Sequence, residues 1–182
     1  MLMAALAEAT SRVKVWTTVH TILQNPAVTA KMIATLDQIS HGRAGLNVVT
    51  GAYKGEFSQM GAWPEGVDHD ARYDLATEWI PGHQGAVDRG FGDDEGKYFP
   101  LDDCMSDPKP PTRPFLVCAG TSRRGCASPE EMDAIFLTGG NAEELAQASR
   151  EAKAVRAELG RDDAHLFDDD RSVRRDRRRG RG

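Results

Sequence analysis

The chain has 182 residues, 40% of them apolar and 28% charged, with a formal net charge of -5. That length and apolar content suffice for one domain with an ordinary core, and no apolar run reaches the roughly 20 residues that a membrane span needs. An acidic body argues against nucleic acid as a partner, and the opening MLMAALAEATSRVKVW lacks the basic start and cleavage pattern of a secretory signal, so the expected compartment is the cytoplasm.

In chain order, a short helical lead-in at Leu2 to Ala9 precedes the β-branched, apolar run Val13 to His20, read as a strand. Asn25-Pro26 opens a helix with Pro in its first turn, and Val28, Met32, Ile33, Leu36 and Ile39 recur at helical spacing, predicting one packed face. That helix is expected to stop at His41-Gly42, with Gly supplying the left-handed terminal residue. Leu46 to Thr50 reads as the next strand, and Asp68 as the cap of a third helix. After the proline-rich connector Asp107 to Pro114, Phe115 to Ala119 reads as a strand, Ser128-Pro129 as the start of a short helix, and Ala134 to Thr138 as a further strand. Asn141 caps a final helix through Leu159, with Leu145, Ala148, Ala152 and Val155 as its expected buried stripe.

Cys104, Cys118 and Cys126 have no metal-ligand spacing and are expected as reduced thiols. Residues 161–182 hold eight Arg against six Asp, which leaves the body before them near -7. This tail reads as a disordered, solvated end, the alternative being an arginine-rich arm for phosphates; the expected division is a domain over 1–160 and a tail over 161–182.

Four strands separated by helices or long connections indicate parallel βα units of an α/β fold. An open doubly wound sheet would place a glycine-rich phosphate turn after its first strand, and TVHTILQNP is nothing of the kind. The expectation is therefore a partial (β/α)8 barrel of about four units. In such barrels ligands sit at the carboxyl ends of the strands, which draws attention to the strand GLNVVTG and the polar YKGEFSQMG that follows it. No serine hydrolase elbow, phosphate-binding Walker loop or HExxH is present.

The blocks AKMIATLDQISHGRAGLNVVTG, EFSQMG, DHDARYDLATEW and PFLVCAGTSRRG, in that order and spacing, resemble the bacterial luciferase-like family of flavin-dependent monooxygenases, with most similarity to its pyrimidine monooxygenase group. The resemblance implies that reduced FMN, supplied by an NAD(P)H flavin reductase, reacts with dioxygen to oxygenate a small organic substrate such as a pyrimidine ring. It implies Asn47 as the group that hydrogen-bonds the flavin or its oxygen, and Thr18 as the hydroxyl lining the oxygen pocket. Glu56 would face ribityl hydroxyls, Arg72 and Tyr73 would meet the phosphate, and Ser122 in AGTSRRG would cradle it. No partner carboxylate or thiol is placed by spacing for His20 or His69, so neither is named a catalyst, and Met60 and Trp63 are read as core or pocket wall.

The departures from the family carry expectations too. Family members have two further βα units ahead of these and continue beyond the last helix, so the strands here would form about half a barrel with two open edges. Ile80 to Gly96 and the tail from about Asp162 lack the apolar pattern of the family and read as altered segments. Members commonly pair through barrel helices, which makes a homo-oligomer an expectation. The alternative function is a non-catalytic remnant or interaction protein that keeps the barrel signature.

Overall fold

The structure is a computed structural model that describes residues 1–51, 53–63, 66, 68, 71–80, 91–94, 96–105, 107–110, 113–119, 132–137 and 140–160. Its elements are α1 (Leu2–Ala9), β1 (Val15–His20), α2 (Pro26–Ser40), β2 (Ala44–Val49), α3 (Lys54–Gln59), α4 (71–80), β3 (Phe91–Asp94), β4 (Leu101–Met105), β5 (Phe115–Ala119), β6 (Ala134–Phe136) and α5 (Ala142–Glu158). The expected short helix at Ser128, Cys126 and the tail over 161–182 lie outside the described residues.

Local chemistry sets the helix ends. Asn25 Oδ1 accepts the amides of Ala27 and Val28 at 2.9 and 3.3 Å, and Pro26 takes the first helical position, where its missing N–H costs nothing. α2 closes at His41-Gly42 with Gly42 left-handed at φ 79, as expected, and His41 ahead of it is left-handed too, at φ 55. The reason is a two-residue closure in which the His41 and Gly42 amides return to the carbonyls of Gln38 and Asp37. The amide of Ala71 donates to Asp68 Oδ1 at 2.8 Å, so Asp68 does cap α4.

β1, β2, β5 and β6 form one parallel sheet in chain order, with Thr18 opposite Asn47, Asn47 opposite Val117 and Val117 opposite Ala134. A doubly wound sheet reverses its strand order at its switch point; the described sheet has no reversal, in keeping with the expected segment of a (β/α)8-type barrel. Within the described sheet β1 and β6 are the edges. Three elements went unforeseen. α3 occupies the polar stretch after β2, and β3 pairs antiparallel with β4 in a separate hairpin, although Ile80 to Gly96 reads as altered sequence. The hairpin is tied to α4, because the Glu78 carboxylate accepts the amides of Tyr98 and Phe99 at 2.7 and 2.5 Å.

Strand alternation divides the sheet into two faces. Val15, Val19, Leu46, Val48, Leu116 and Ile135 point to the helix side and join Ile33, Leu36 and Trp79 in the buried core. Trp79 Nε1 donates to the Gln24 carbonyl at 2.7 Å, satisfying the buried indole and fixing α4 to the β1–α2 turn. Arg43 locks the opposite end: its guanidinium donates to the carbonyls of Ala7, Thr10 and Val13 at 2.8, 3.0 and 2.7 Å, which answers the orphan acceptors that end α1. Two expected stripes are only partly buried. Val28 and Met32 on α2 are 56% and 53% exposed and Leu145 on α5 is 39% exposed, whereas Ile33, Leu36 and Ala152 are buried. The exposed positions sit on flanks that no neighbouring unit covers among the described residues.

Among the described residues, no helix is long and apolar enough to cross a membrane. Cys104 and Cys118 form no disulfide.

Candidate active site

The other sheet face carries the polar groups. By register, Trp16, Thr18 and His20 of β1 lie beside Gly45, Asn47 and Val49 of β2, then Phe115 and Val117 of β5. This is the face that a closed barrel would turn to its interior. Its amino-terminal end is an aromatic floor. Trp16 stacks on Phe115 with ring centroids 5.6 Å apart and planes 14° off parallel, crossing over Gly45, where a Cβ would fall on the indole and 3.0 Å from the Phe115 carbonyl. Gly45 is thus dictated by close approach rather than by turn geometry.

One step towards the carboxyl ends, Asn47 Nδ2 donates to Thr18 Oγ1 at 3.3 Å. The two residues that the family resemblance names together are brought together across neighbouring strands. The bond leaves Asn47 Oδ1 buried with no hydrogen-bond partner. An acceptor buried in that way costs about 1–3 kcal/mol until a donor meets it.

At the rim, the His20 ring meets Phe57 edge-on with centroids 5.0 Å apart, and Phe57 lies 6.0 Å from Trp63. The Arg72 guanidinium lies over Trp63 at 5.0 Å, and its Nε is buried with no hydrogen-bond partner. A continuous run of rings therefore connects the end of β1 to the first turn of α4. This run reverses one expectation and upholds another. Trp63 is a wall, as expected, but it is the wall on which Arg72 rests; Met60 is exposed. His20 is also part of the rim, and its Nδ1 is buried with no hydrogen-bond partner.

The remaining named residues fall as follows. Tyr73 is half-buried beside Arg72 in the first turn of α4. Glu56 is exposed in the first turn of α3, one residue before the buried Phe57 and so about 100° away around the helix axis. Ser122 and His69 lie outside the described residues. Sequence reasoning missed Phe57 as the link between His20 and Trp63. The available signal was the period of two on β1, which puts Trp16, Thr18 and His20 on a single face.

Chemically, the arrangement offers a donor–acceptor amide, a hydroxyl, an imidazole edge and a guanidinium around ring-lined walls. Asn47 Oδ1 fits an N–H donor such as a flavin or lactam ring presents, and Arg72 Nε, a guanidinium donor without a partner, fits an anionic oxygen such as phosphate. The residues present fit a flavin nucleotide.

The family model described as luciferase-like monooxygenase matches residues 1–170. The chain is 39% identical over 165 residues to the pyrimidine monooxygenase RutA of Caulobacter vibrioides, an alignment covering 88% of this chain and 46% of that protein. Among solved structures it is similar to riboflavin lyase RcaE, whose crystal holds a modified FMN with riboflavin, at a TM-score of 0.70 and 28% identity over 88% of this chain and 41% of that one. It is also similar to an F420-dependent secondary alcohol dehydrogenase bound to an F420-acetone adduct, at a TM-score of 0.76 and 25% identity over 90% of this chain and 50% of that one. The chain spans about half the length of the curated relatives it matches, and it belongs to the luciferase-like monooxygenase family.

Proposed function

We propose that this chain builds the strand-end site of an FMN-dependent monooxygenase that uses dioxygen on a small organic substrate, a pyrimidine ring being the class that the likeness to RutA supports. The observation that carries the reading is the Asn47–Thr18 pair, with its buried, unpartnered Oδ1 facing the side of the sheet where a barrel holds its ligand. FMN is favoured over a deazaflavin by the likeness to a pyrimidine monooxygenase and to a structure that holds FMN.

When bound, reduced flavin supplies the activation of dioxygen, work the side chains here cannot do. The protein's share is positional. Thr18 fixes the Asn47 amide, and that leaves Oδ1 to accept a ring N–H; the Thr18 hydroxyl proton stays available to a neighbouring acceptor. Arg72, braced on Trp63, offers its guanidinium to phosphate, with Tyr73 beside it and Ser122 as the expected hydroxyl of the same phosphate site. The stacked rings of Trp16 and Phe115 line the amino-terminal end of the same face, below the Asn47–Thr18 pair, and ligands would enter from the strand ends. Glu56 is proposed for ribityl hydroxyls at the outer rim.

Titration of the purified chain with oxidised and reduced FMN under anaerobic conditions tests this reading, followed by oxygen uptake with NADH, a flavin reductase and uracil. Saturable flavin binding weakened by Asn47→Ala supports it. Absence of saturable binding of either flavin form refutes it in favour of a non-catalytic remnant.

A further inference from the structure

We infer that His20 is a ligand-contacting residue of this site: its Nδ1–H donates to a carbonyl on the imide edge of a pyrimidine-type ring while Asn47 Oδ1 accepts the adjoining ring N–H. The inference rests on the flavin-site reading above and specifies what its polar rim recognises.

Three observations carry it. His20 and Asn47 lie on one face of adjacent parallel strands, His20 a single side-chain step nearer the carboxyl ends than Thr18, the partner of Asn47. Both residues bury a polar atom with no hydrogen-bond partner, Nδ1 on one and Oδ1 on the other. The His20 ring packs edge-on against the fully buried Phe57, with Nδ1 turned away from solvent. Buried polar atoms are ordinarily satisfied, and two exceptions on neighbouring strands of one face point to a shared ligand.

The chemistry of the pair narrows the ligand. Asn47 Nδ2 is engaged by Thr18, leaving Oδ1 to accept; an imidazole that carries its proton on Nδ1 donates there. An acceptor and a donor on one sheet face, on neighbouring strands, suit a ring that presents both an N–H and a C=O, as the edge of a cyclic imide does. Rings that lack this edge, such as benzene or a fully N-methylated pyrimidinedione, would leave both protein atoms unpaired, and sites of this kind reject such ligands strongly. Two sources carry the same edge: a pyrimidine substrate and the pyrimidine portion of the flavin itself.

Substitution separates the atoms and the sources. His20→Asn places a side-chain amide where Nδ1 sits, His20→Gln reaches instead to the position of Nε2, and His20→Phe keeps a ring without either nitrogen. We expect His20→Phe and His20→Gln to weaken binding of the imide-bearing ligand at least about tenfold, the scale of a lost hydrogen bond that leaves a buried partner unpaired, and His20→Asn to restore most of it. Dissociation constants for FMN, for uracil and for 1,3-dimethyluracil assign the source: a change in FMN alone places the flavin on His20, a change in uracil alone places the substrate there. In the wild type, the Nδ1 signal in histidine nitrogen NMR should move on adding the ligand so identified and stay still with 1,3-dimethyluracil. Saturable FMN binding with all three variants equal to wild type for both ligands overturns the His20 assignment and leaves the flavin site standing. A wild-type chain that takes up neither FMN nor uracil overturns both.

Discussion

The Thr18–Asn47 bond makes a quantitative demand on flavin affinity. Asn47→Ala removes the buried acceptor and is expected to weaken FMN binding by about 1–3 kcal/mol, a factor of roughly 5 to 150. Thr18→Val is nearly isosteric and removes only the hydroxyl that fixes the amide. Because the bond is long at 3.3 Å and lies at the exposed side of the sheet, its loss should cost about 0.5–1 kcal/mol of affinity, no more than an ordinary neutral hydrogen bond contributes. The two effects must not add. With Asn47 already truncated, Thr18 has nothing to orient, so the double variant should bind FMN as weakly as Asn47→Ala alone, and the coupling energy should equal the whole Thr18→Val effect. Anaerobic fluorescence titration of the four proteins measures the cycle, and urea unfolding free energies that match within about 0.5 kcal/mol confirm that folding is not the cause. Equal Thr18→Val losses in both backgrounds would show that Thr18 acts independently of Asn47, and the account of a pre-oriented amide would fail.

Other predictions concern the frame around that pair. Gly45→Ala puts a methyl group onto the Trp16 indole and against the Phe115 carbonyl; it should destabilise the fold by about 1–3 kcal/mol in urea unfolding and shift Trp fluorescence, as overpacking does, and an unchanged midpoint would contradict the stacked floor. Arg43→Ala removes the donors that hold the last carbonyls of α1 and the approach to β1, so about 1.5–3 kcal/mol of stability should be lost. Hydrogen exchange should show the loosening first in residues 2–13. Arg72→Lys keeps the charge but loses the planar fork and the guanidinium plane over Trp63. FMN affinity should fall about three- to tenfold while riboflavin, which has no phosphate, binds unchanged; equal losses for both ligands would show that Arg72 does not serve phosphate.

Much of the frame could be read from residue patterns because it is local. Asn25-Pro26, Asp68 and Asn141 cap helices through contacts within four residues of themselves, and β-branched runs mark β1, β2 and β5. The elements that escaped depend on distant partners. β3 is anchored where the hairpin meets Glu78 of α4, a contact across some twenty residues that no local pattern contains. Val28, Met32 and Leu145 show the converse: helical spacing predicts which positions are apolar, but burial requires a neighbour, and the described residues supply none there. At the site, the pairing of Thr18 with Asn47 follows from parallel register and from the family resemblance. The ring run from His20 to Arg72 was invisible because Phe57, Trp63 and Arg72 come from three different segments, folded against one strand end.

The hairpin between β2 and β5 also lengthens the chain that closes that strand pair. β1 and β2 meet across residues 21–43, a stretch of 23, whereas β2 and β5 meet only after residues 50–114, a stretch of 65. By the loop-closure relation the longer span costs about 1 kcal/mol more in chain entropy before any contact repays it. The Thr18–Asn47 pair thus spans the less costly of the two closures, and Val117 joins it across the more costly one.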